Sequence, residues 1–242
     1  MIIKPKPIFL LISGKKGHGK NFFAQHLQTY IEKYFGNKIT VEQTSFAKPI
    51  KEFCHNVFGF SFQDMETEDG KEKLSHIKWS DINKDICLEN NKSTMRLIGQ
   101  CTENGEECST GCKKGLYDYF PSDKYMTIRE ILQIVGTDVW RKRFYEPIWC
   151  QAAFLRRYQS DIVIITDCRF KGELLEGLKH KSINIRVHRP KAKQNLDQHQ
   201  SEIDLDEFPW KEDELFLNEE NNIDNIYMFI YKYILPKLNE RI

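Results

Sequence analysis

The chain has 242 residues, 40% of them hydrophobic and 29% charged, too apolar for a disordered chain and long enough to bury a real core. Its 36 Lys and Arg stand against 35 Asp and Glu, a net charge of +1, so no global positive field draws it to nucleic acid and any anion site has to be local. No run approaches the roughly 18–20 apolar residues of a membrane span, and the short apolar N-terminal run leads into glycines instead of a small-residue cleavage site. A cytoplasmic protein is expected, with no membrane and no nucleic acid among its partners.

Residues 8–13, IFLLIS, are a continuous apolar run with β-branched members, the pattern of a strand buried on both faces. Gly14 to Asn21 break it, and Phe22, Phe23, Leu27, Tyr30 and Ile31 then recur at helical spacing. Residues 39–45 read as a second, shorter strand, and Pro49 opens a helix through Phe53 and Val57. Residues 61–124 are polar, rich in Asp, Glu, Lys, Asn, Gly and Cys, with little sustained periodicity, and are expected to be an insertion or small subdomain. Thr127 and Glu130 form a capping box for a helix over 127–135, and 148–158 reads as another helix. Residues 161–166, DIVIIT, are the second clearly buried strand, and 183–188 alternate like a further one. Residues 189–206 are charged and proline-broken, 213–217 suggest a last short strand, and Ile223, Ile226, Ile230, Ile234 and Leu238 fit a closing helix. Strands alternating with helices imply an α/β fold, an open parallel sheet flanked by helices.

The chemistry concentrates in two places. Gly14-Lys15-Lys16-Gly17-His18-Gly19-Lys20 matches G-x-x-x-x-G-K between a strand and a helix. Glycines there let successive backbone N–H groups curl around phosphate oxygens, the helix N-terminus adds its positive end, and Lys20 reaches the terminal phosphates. The motif departs from the usual one in that Asn21 and Phe22 stand where Ser or Thr would bind Mg²⁺; Asn21 offers an amide oxygen, or substrate phosphates hold the metal. Asp167-Cys168-Arg169 ends a buried strand, where ligands of open α/β sheets bind. Asp167 suits Mg²⁺ or a ligand hydrogen bond, Arg169 suits a bidentate phosphate clamp, and Cys168 is expected to point the other way into the core.

Taken together, SGKKGHGKNFF, AKPIKEF, TIREILQIVGTDVWRKRF, then Trp149, IVIITDCRF, HQSE and DELFLNEE resemble the deoxynucleoside monophosphate kinases of large DNA bacteriophages and related viruses. The resemblance covers most of the chain outside 61–124. It implies one P-loop kinase domain over 1–242 of adenylate-kinase type, with 61–124 as an acceptor-side insertion and 189–206 as a lid. It also implies transfer from ATP, with Mg²⁺, to a deoxynucleoside monophosphate by a cytoplasmic enzyme, in the host cytoplasm if viral, and a homodimer. By the same resemblance Gly14, Lys15, Gly17, His18, Gly19, Lys20, Asn21, Arg189 and Asn218 bind ATP. Lys51, Arg129, Gln133, Gly136, Thr137, Asp138, Trp149, Asp167, Arg169 and Glu173 line the acceptor. Lys20, Arg129, Asp167 and Arg169 act in catalysis, and Asn21 and Asp167 serve the metal. Phosphomevalonate kinases are similar around GKNF and D-x-R, and an ATPase or switch without acceptor is the alternative of another class.

The seven cysteines are odd in number and mostly scattered. Cys101, Cys108 and Cys112, with Cys87 upstream, offer four thiolates for structural zinc, but the spacing lacks the paired C-x₂-C knuckles of a clear zinc site. Free thiols in a reducing compartment are the weightier reading.

Overall fold

Five parallel strands form the centre of the first of the chain's two compact units, Met1–Ile50 with Pro147–Ile242; the second is Lys51–Glu146. The structure is a computed structural model that describes residues 6–36, 38–90, 92–100, 102–103, 106–107, 115–190, 204–219 and 221–242. In chain order the elements are β1 (Ile8–Ser13), α1 (Lys20–Tyr34), β2 (Val41–Thr44), α2 (Lys48–Phe58), α3 (Phe62–Glu66), α4 (Glu68–Lys71) and β3 (Leu74–Lys78). Next come α5 (Lys84–Glu89), β4 (Ser93–Gln100), β5 (Thr102–Glu103), β6 (Glu106–Glu107), β7 (Gly115–Pro121), β8 (Tyr125–Thr127) and α6 (Ile128–Gln133). The chain closes with α7 (Ile148–Leu155), β9 (Ile162–Cys168), α8 (Lys171–Lys179), β10 (Ile183–His188), β11 (Leu215–Leu217), α9 (Ile223–Phe229) and α10 (Leu235–Asn239).

In the first unit the strand order is β11-β10-β1-β9-β2. All four pairings are parallel, as the alternating strand–helix pattern requires. The sheet is an α/β sheet of the expected class. Alternation along β1 sends its side chains to two cores. Leu10 and Ile12 join Phe23, Leu27 and Ile31 of α1 and Ile226, Ile230, Ile234 and Leu238 of the C-terminal helices. Phe9 and Leu11 join Ala153 and Phe154 of α7, Leu174 of α8 and Val163 and Ile165 of β9 on the other face. A strand covered on both faces has to be apolar at every position, which is why IFLLIS shows no alternation.

The chain leaves β1, crosses by α1, and lands on β2 two places away; β9 later fills the gap and β10 takes the other side. Position β1 is therefore the switch point of the sheet, where carboxyl-end loops diverge and leave a crevice. The β1–β9 ladder shifts there: Leu11 aligns with Ile165, but Ser13 aligns with Cys168. The extra residue on β9 bulges the strand where it delivers Asp167.

The closing helix is not one uninterrupted α-helix. A wide, π-type turn over Ile230–Ile234 joins α9 to α10, just before Pro236. Proline lacks an N–H and its ring clashes with the carbonyl four residues back, so a local widening relieves the ladder there. Helix α7 also stops at Leu155, short of the 158 expected from sequence.

The second unit contains the segment 61–124 and extends beyond it on both sides. Where sequence shows little periodicity, the structure has short helices α3–α5, the antiparallel pair β3–β8, and a longer antiparallel pair β4–β7 with Ser93 opposite Pro121 and Gln100 opposite Gly115. Met65, Trp79, Ile86, Cys87, Met126, Ile128 and Ile131 are buried in this unit. The helix that starts at the Thr127–Glu130 capping box, which forms as expected, does not end at 135. It continues into a π-type turn over Ile134–Arg141 that includes Gly136, Thr137 and Asp138.

Ile164 is fully buried in the middle of β9, whereas Leu155 is exposed. Ile164→Ala is expected to lower unfolding free energy by about 2–5 kcal/mol. Leu155→Ala should stay within about 0.5 kcal/mol of the parent. Urea titration with matched m-values measures both.

Candidate active site

The P-loop occupies the carboxyl end of β1, and its geometry explains its glycines. Gly14 has φ +150°, and a Cβ there would lie 2.5 Å from the Val187 carbonyl oxygen of β10. Gly19 has φ +88° and caps α1 in the left-handed region, where a Cβ would run into the Asn218 side-chain amide. The loop closes on itself through His18 N–H donating to the Lys15 carbonyl at 3.2 Å. Helix α1 then starts with no side-chain cap and no acidic residue in its first turn. Its first N–H groups and positive dipole end are left for an anion. Lys20 curls across the loop, Nζ donating to the carbonyls of Gly14 at 2.5 Å and Lys15 at 2.9 Å.

Asn218 holds this loop from behind. Its side chain is almost completely buried, and Nδ2 donates to the His18 carbonyl at 2.8 Å and to Asn221 Oδ1 at 3.0 Å. Its Oδ1 accepts from Asn221 N–H, and its own N–H donates to the His188 carbonyl at 2.7 Å. The resemblance assigns Asn218 to the ATP site; in the structure its side-chain amide bonds to the backbone of the loop and to Asn221. Asn21 lies on the exposed side of the first turn of α1.

Register puts the second chemical cluster beside the first, since Ser13 of β1 aligns with Cys168 of β9. Asp167 accepts the backbone N–H of Phe46 at 2.7 Å and of Ala47 at 3.2 Å, so its carboxylate holds the turn between β2 and α2. Glu173 accepts the N–H of Arg169 at 2.7 Å and of Phe170 at 3.1 Å. It therefore positions Arg169 through the backbone, while the half-buried Trp149 sits in the first turn of α7. Cys168 is fully buried as expected, and its thiol is pushed far up, first by burial and then by the charges of Glu173 and Asp167. It is no nucleophile.

The remaining residues named from resemblance lie in the second unit. Arg129 of α6 donates from Nε to Glu72 at 2.5 Å and from Nη2 to Glu68 at 2.9 Å, and these partners push its pKa up. Gln133, four residues on, is exposed, as is Thr137, whereas Gly136 is buried. Buried Asp138 accepts from Lys142 Nζ at 2.7 Å and Asn90 Nδ2 at 3.1 Å. Burial pushes its carboxyl up, but those bonds outweigh burial and leave it below the usual range. Lys51 pairs with Glu66 at 3.6 Å.

Four residues that sequence reasoning passed over complete the first cluster. Arg186 is buried on β10, in register with Ser13, and donates to Ser13 Oγ at 2.9 Å and Asp206 Oδ1 at 2.7 Å. Asp206 Oδ2 lies 2.5 Å from Lys15 Nζ. His188 packs its ring 5.4 Å from that of His18, whose Nδ1 accepts the Arg189 N–H at 3.3 Å. Alternation in INIRVH puts Arg186 on the polar face with Asn184 and His188, so the sequence carried no sign of its burial.

The donor atoms fit magnesium, because Asp167 and Asn21 both present hard oxygens and Mg²⁺ ordinarily takes one or two carboxylates with substrate phosphates and water. Among the described residues no group of three His, Cys, Asp or Glu side chains is placed to hold a metal. Of the four cysteines considered for zinc, Cys101, Cys108 and Cys112 lie outside the described residues, as does most of 189–206. Cys87 is buried with Sγ 3.1 Å from the Trp79 carbonyl oxygen. Among the described residues no helix is long and apolar enough to cross a membrane.

Comparison with known proteins agrees with this geometry. A family profile described as deoxynucleotide monophosphate kinase matches residues 8–230. The deoxynucleoside-5′-monophosphate kinase of Escherichia phage T5 is 26% identical over 195 residues, covering 70% of this chain and 72% of the relative.

Two expectations follow from the loop. Gly19→Ala forces a left-handed backbone and a clash with Asn218, so ATP binding by calorimetry should fall at least about tenfold, with a lower melting temperature. The His18 imidazole is held below its ordinary 6.5, first by burial and then by the charges of His188, Arg186 and Lys20, against an upward pull from the Val187 carbonyl. The unfolded chain thus takes up this proton before the folded one, so the stability that neutral His18 contributes is complete above pH 6.5 and is lost as pH falls below it. His18→Gln should flatten the part of the melting-temperature profile below pH 6.5 that belongs to this group.

Proposed function

The chain belongs to the deoxynucleotide monophosphate kinase family, and on that premise we propose how it passes the γ-phosphoryl group of ATP to a deoxynucleoside monophosphate. The observation that carries the reading is the P-loop latched at the switch point of the sheet, with Asp167 and Arg169 emerging from the neighbouring strand. Nothing in the structure or the comparisons favours phosphomevalonate or a switch without acceptor.

In this reading the N–H groups of Gly14 to Lys20 and the open end of α1 cradle the donor phosphates. Lys20 exchanges the carbonyls of Gly14 and Lys15 for phosphate oxygens, where a charge-assisted bond is stronger. Arg169, its backbone pinned by Glu173, contributes positive charge to the transferring group. Asn21 and Asp167 would hold Mg²⁺ together with the substrate phosphates, and the ion would supply positive charge that offsets the charge developing on the transferring group. Asp167 also keeps the β2–α2 turn in place through Phe46 and Ala47.

Arg129 takes the acceptor phosphate in exchange for Glu68 and Glu72, and Gln133, one helical turn on, reaches the base edge. Lys51, Gly136, Thr137, Asp138 and Trp149 complete the acceptor's surroundings, and Arg189 assists the donor phosphates. No protein general base is required, because the acceptor phosphate is already anionic at neutral pH. Residues 61–124 serve the acceptor and 189–206 act as a lid within one kinase domain. The enzyme works as a homodimer on free nucleotides in the cytoplasm of an infected cell.

The test is ADP release with ATP and Mg²⁺ against the four deoxynucleoside monophosphates, their ribose forms and phosphomevalonate. Turnover with one or more deoxynucleotides is expected, reduced at least about a thousandfold by Lys20→Ala. ADP release independent of any acceptor would refute the kinase reading.

A further inference from the structure

A buried arginine in a parallel sheet needs an explanation, because an ion is costly to desolvate and is retained where it is paired and useful. Arg186 sits on β10 directly beside Ser13, the residue before the P-loop. Ser13 Oγ takes one of its N–H groups, the Trp210 ring lies 5.9 Å from its guanidinium carbon, and Asp206 takes another N–H. The Asp206 carboxylate is thereby fixed from behind, and its second oxygen holds Lys15 at 2.5 Å. Neighbouring residues root the same segment: Leu205 is buried, its carbonyl accepts the Trp210 indole N–H, and Asp204 accepts Lys171 N–H at the start of α8.

Lys15 occupies one of the unconstrained positions of the motif, yet it is the pivot of the loop. Its carbonyl accepts both His18 N–H and Lys20 Nζ. Tethering its side chain restrains the loop at the residue whose carbonyl takes both of those bonds, next to the N–H groups of the cradle. An isolated exposed Lys–Asp pair would do little. This one differs in that the carboxylate is clamped by a buried cation and cannot follow the lysine. We propose that Asp206, clamped by Arg186, is a positioning residue that acts through Lys15 to pre-order the P-loop for the donor phosphates. The inference rests on the reading of this loop as the ATP site.

The experiment uses the full chain and steady-state kinetics with ATP and the acceptor preferred in the panel above, together with calorimetry of a non-hydrolysable ATP analogue. Asp206→Asn should raise KM for ATP and weaken analogue binding by about three- to tenfold, the cost of ordering the loop during binding. The acceptor KM and kcat should stay within about twofold, since neither depends on loop order once ATP is seated. Lys15→Met should show the same donor-specific loss with Asp206 intact, Asp206→Asn should add nothing to it, and Asp206→Glu should recover part of the affinity. An unchanged or lower KM for ATP overturns the proposal. So does a loss that persists in the Lys15→Met background, or a parallel fall in kcat and melting temperature, which would mark a structural role only. If the parent chain does not bind the analogue, or Lys20→Ala binds it equally well, the ATP-site reading itself fails and this inference falls with it.

Discussion

The double burial of β1 is the constraint on which the rest depends. A strand with apolar neighbours on both faces and hydrogen-bonded partners on both edges cannot shift register without exposing a core. That immobility fixes the point where Ser13 gives way to Gly14. The P-loop, the bulged end of β9 and the buried Arg186 of β10 are all referred to that point through Ser13, which aligns with Cys168 on one side and Arg186 on the other. A phosphate cradle made of backbone N–H groups works only if the backbone stands still. The sheet, the Asn218 latch and the clamp on Lys15 are three separate means to that end.

Four of the cations named above are engaged within their own units. Lys20 rests on two carbonyls of its own loop, Arg129 on two carboxylates, Lys51 on Glu66 and Arg186 on Asp206. On the reading proposed above, nucleotide binding is an exchange of partners, and affinity reflects the difference between a phosphate and the group it displaces. In that exchange Lys20 would leave neutral carbonyls for an anionic oxygen, and Arg129 would leave two exposed carboxylates whose attraction is weakened by water. Arg186, by contrast, is itself buried and bonds both the buried Ser13 hydroxyl and the more exposed Asp206 carboxylate.

Carboxylates here do quieter work than their positions at strand and helix ends suggest. Asp167 ties down Phe46 and Ala47, Glu173 ties down Arg169 and Phe170, and Asp204 ties down Lys171. Each satisfies backbone N–H groups that strand ends and helix starts leave without partners. Such bonds keep loops short and ordered at the edge of the sheet. They also leave carboxylate lone pairs over for a metal or a ligand.

By itself the sequence determined the elements whose cause is local or periodic. IFLLIS and DIVIIT declare strands buried on both faces, GKKGHGK declares a phosphate loop, and Thr127 with Glu130 declares a helix start, because burial, φ freedom and capping each leave a mark on neighbouring residues. The β3–β8 and β4–β7 pairs were not legible, since their strands lie in a polar, Gly-, Asn- and Cys-rich stretch without sustained periodicity and depend on pairing with a distant segment. The wide turn at Ile230–Ile234 leaves the 3.6-residue pattern almost intact and so passed as plain helix, whereas the helical continuation through Ile134–Arg141 was not read beyond 135. Only tertiary structure decided that Asn218, some 200 positions from His18, belongs to the P-loop. It likewise brought Asp206 to Lys15 and made an arginine of an inner strand their anchor. Those contacts join residues far apart in the chain, and the physics that requires them, satisfying a buried donor or pairing a buried charge, acts through space and leaves no trace in local spacing.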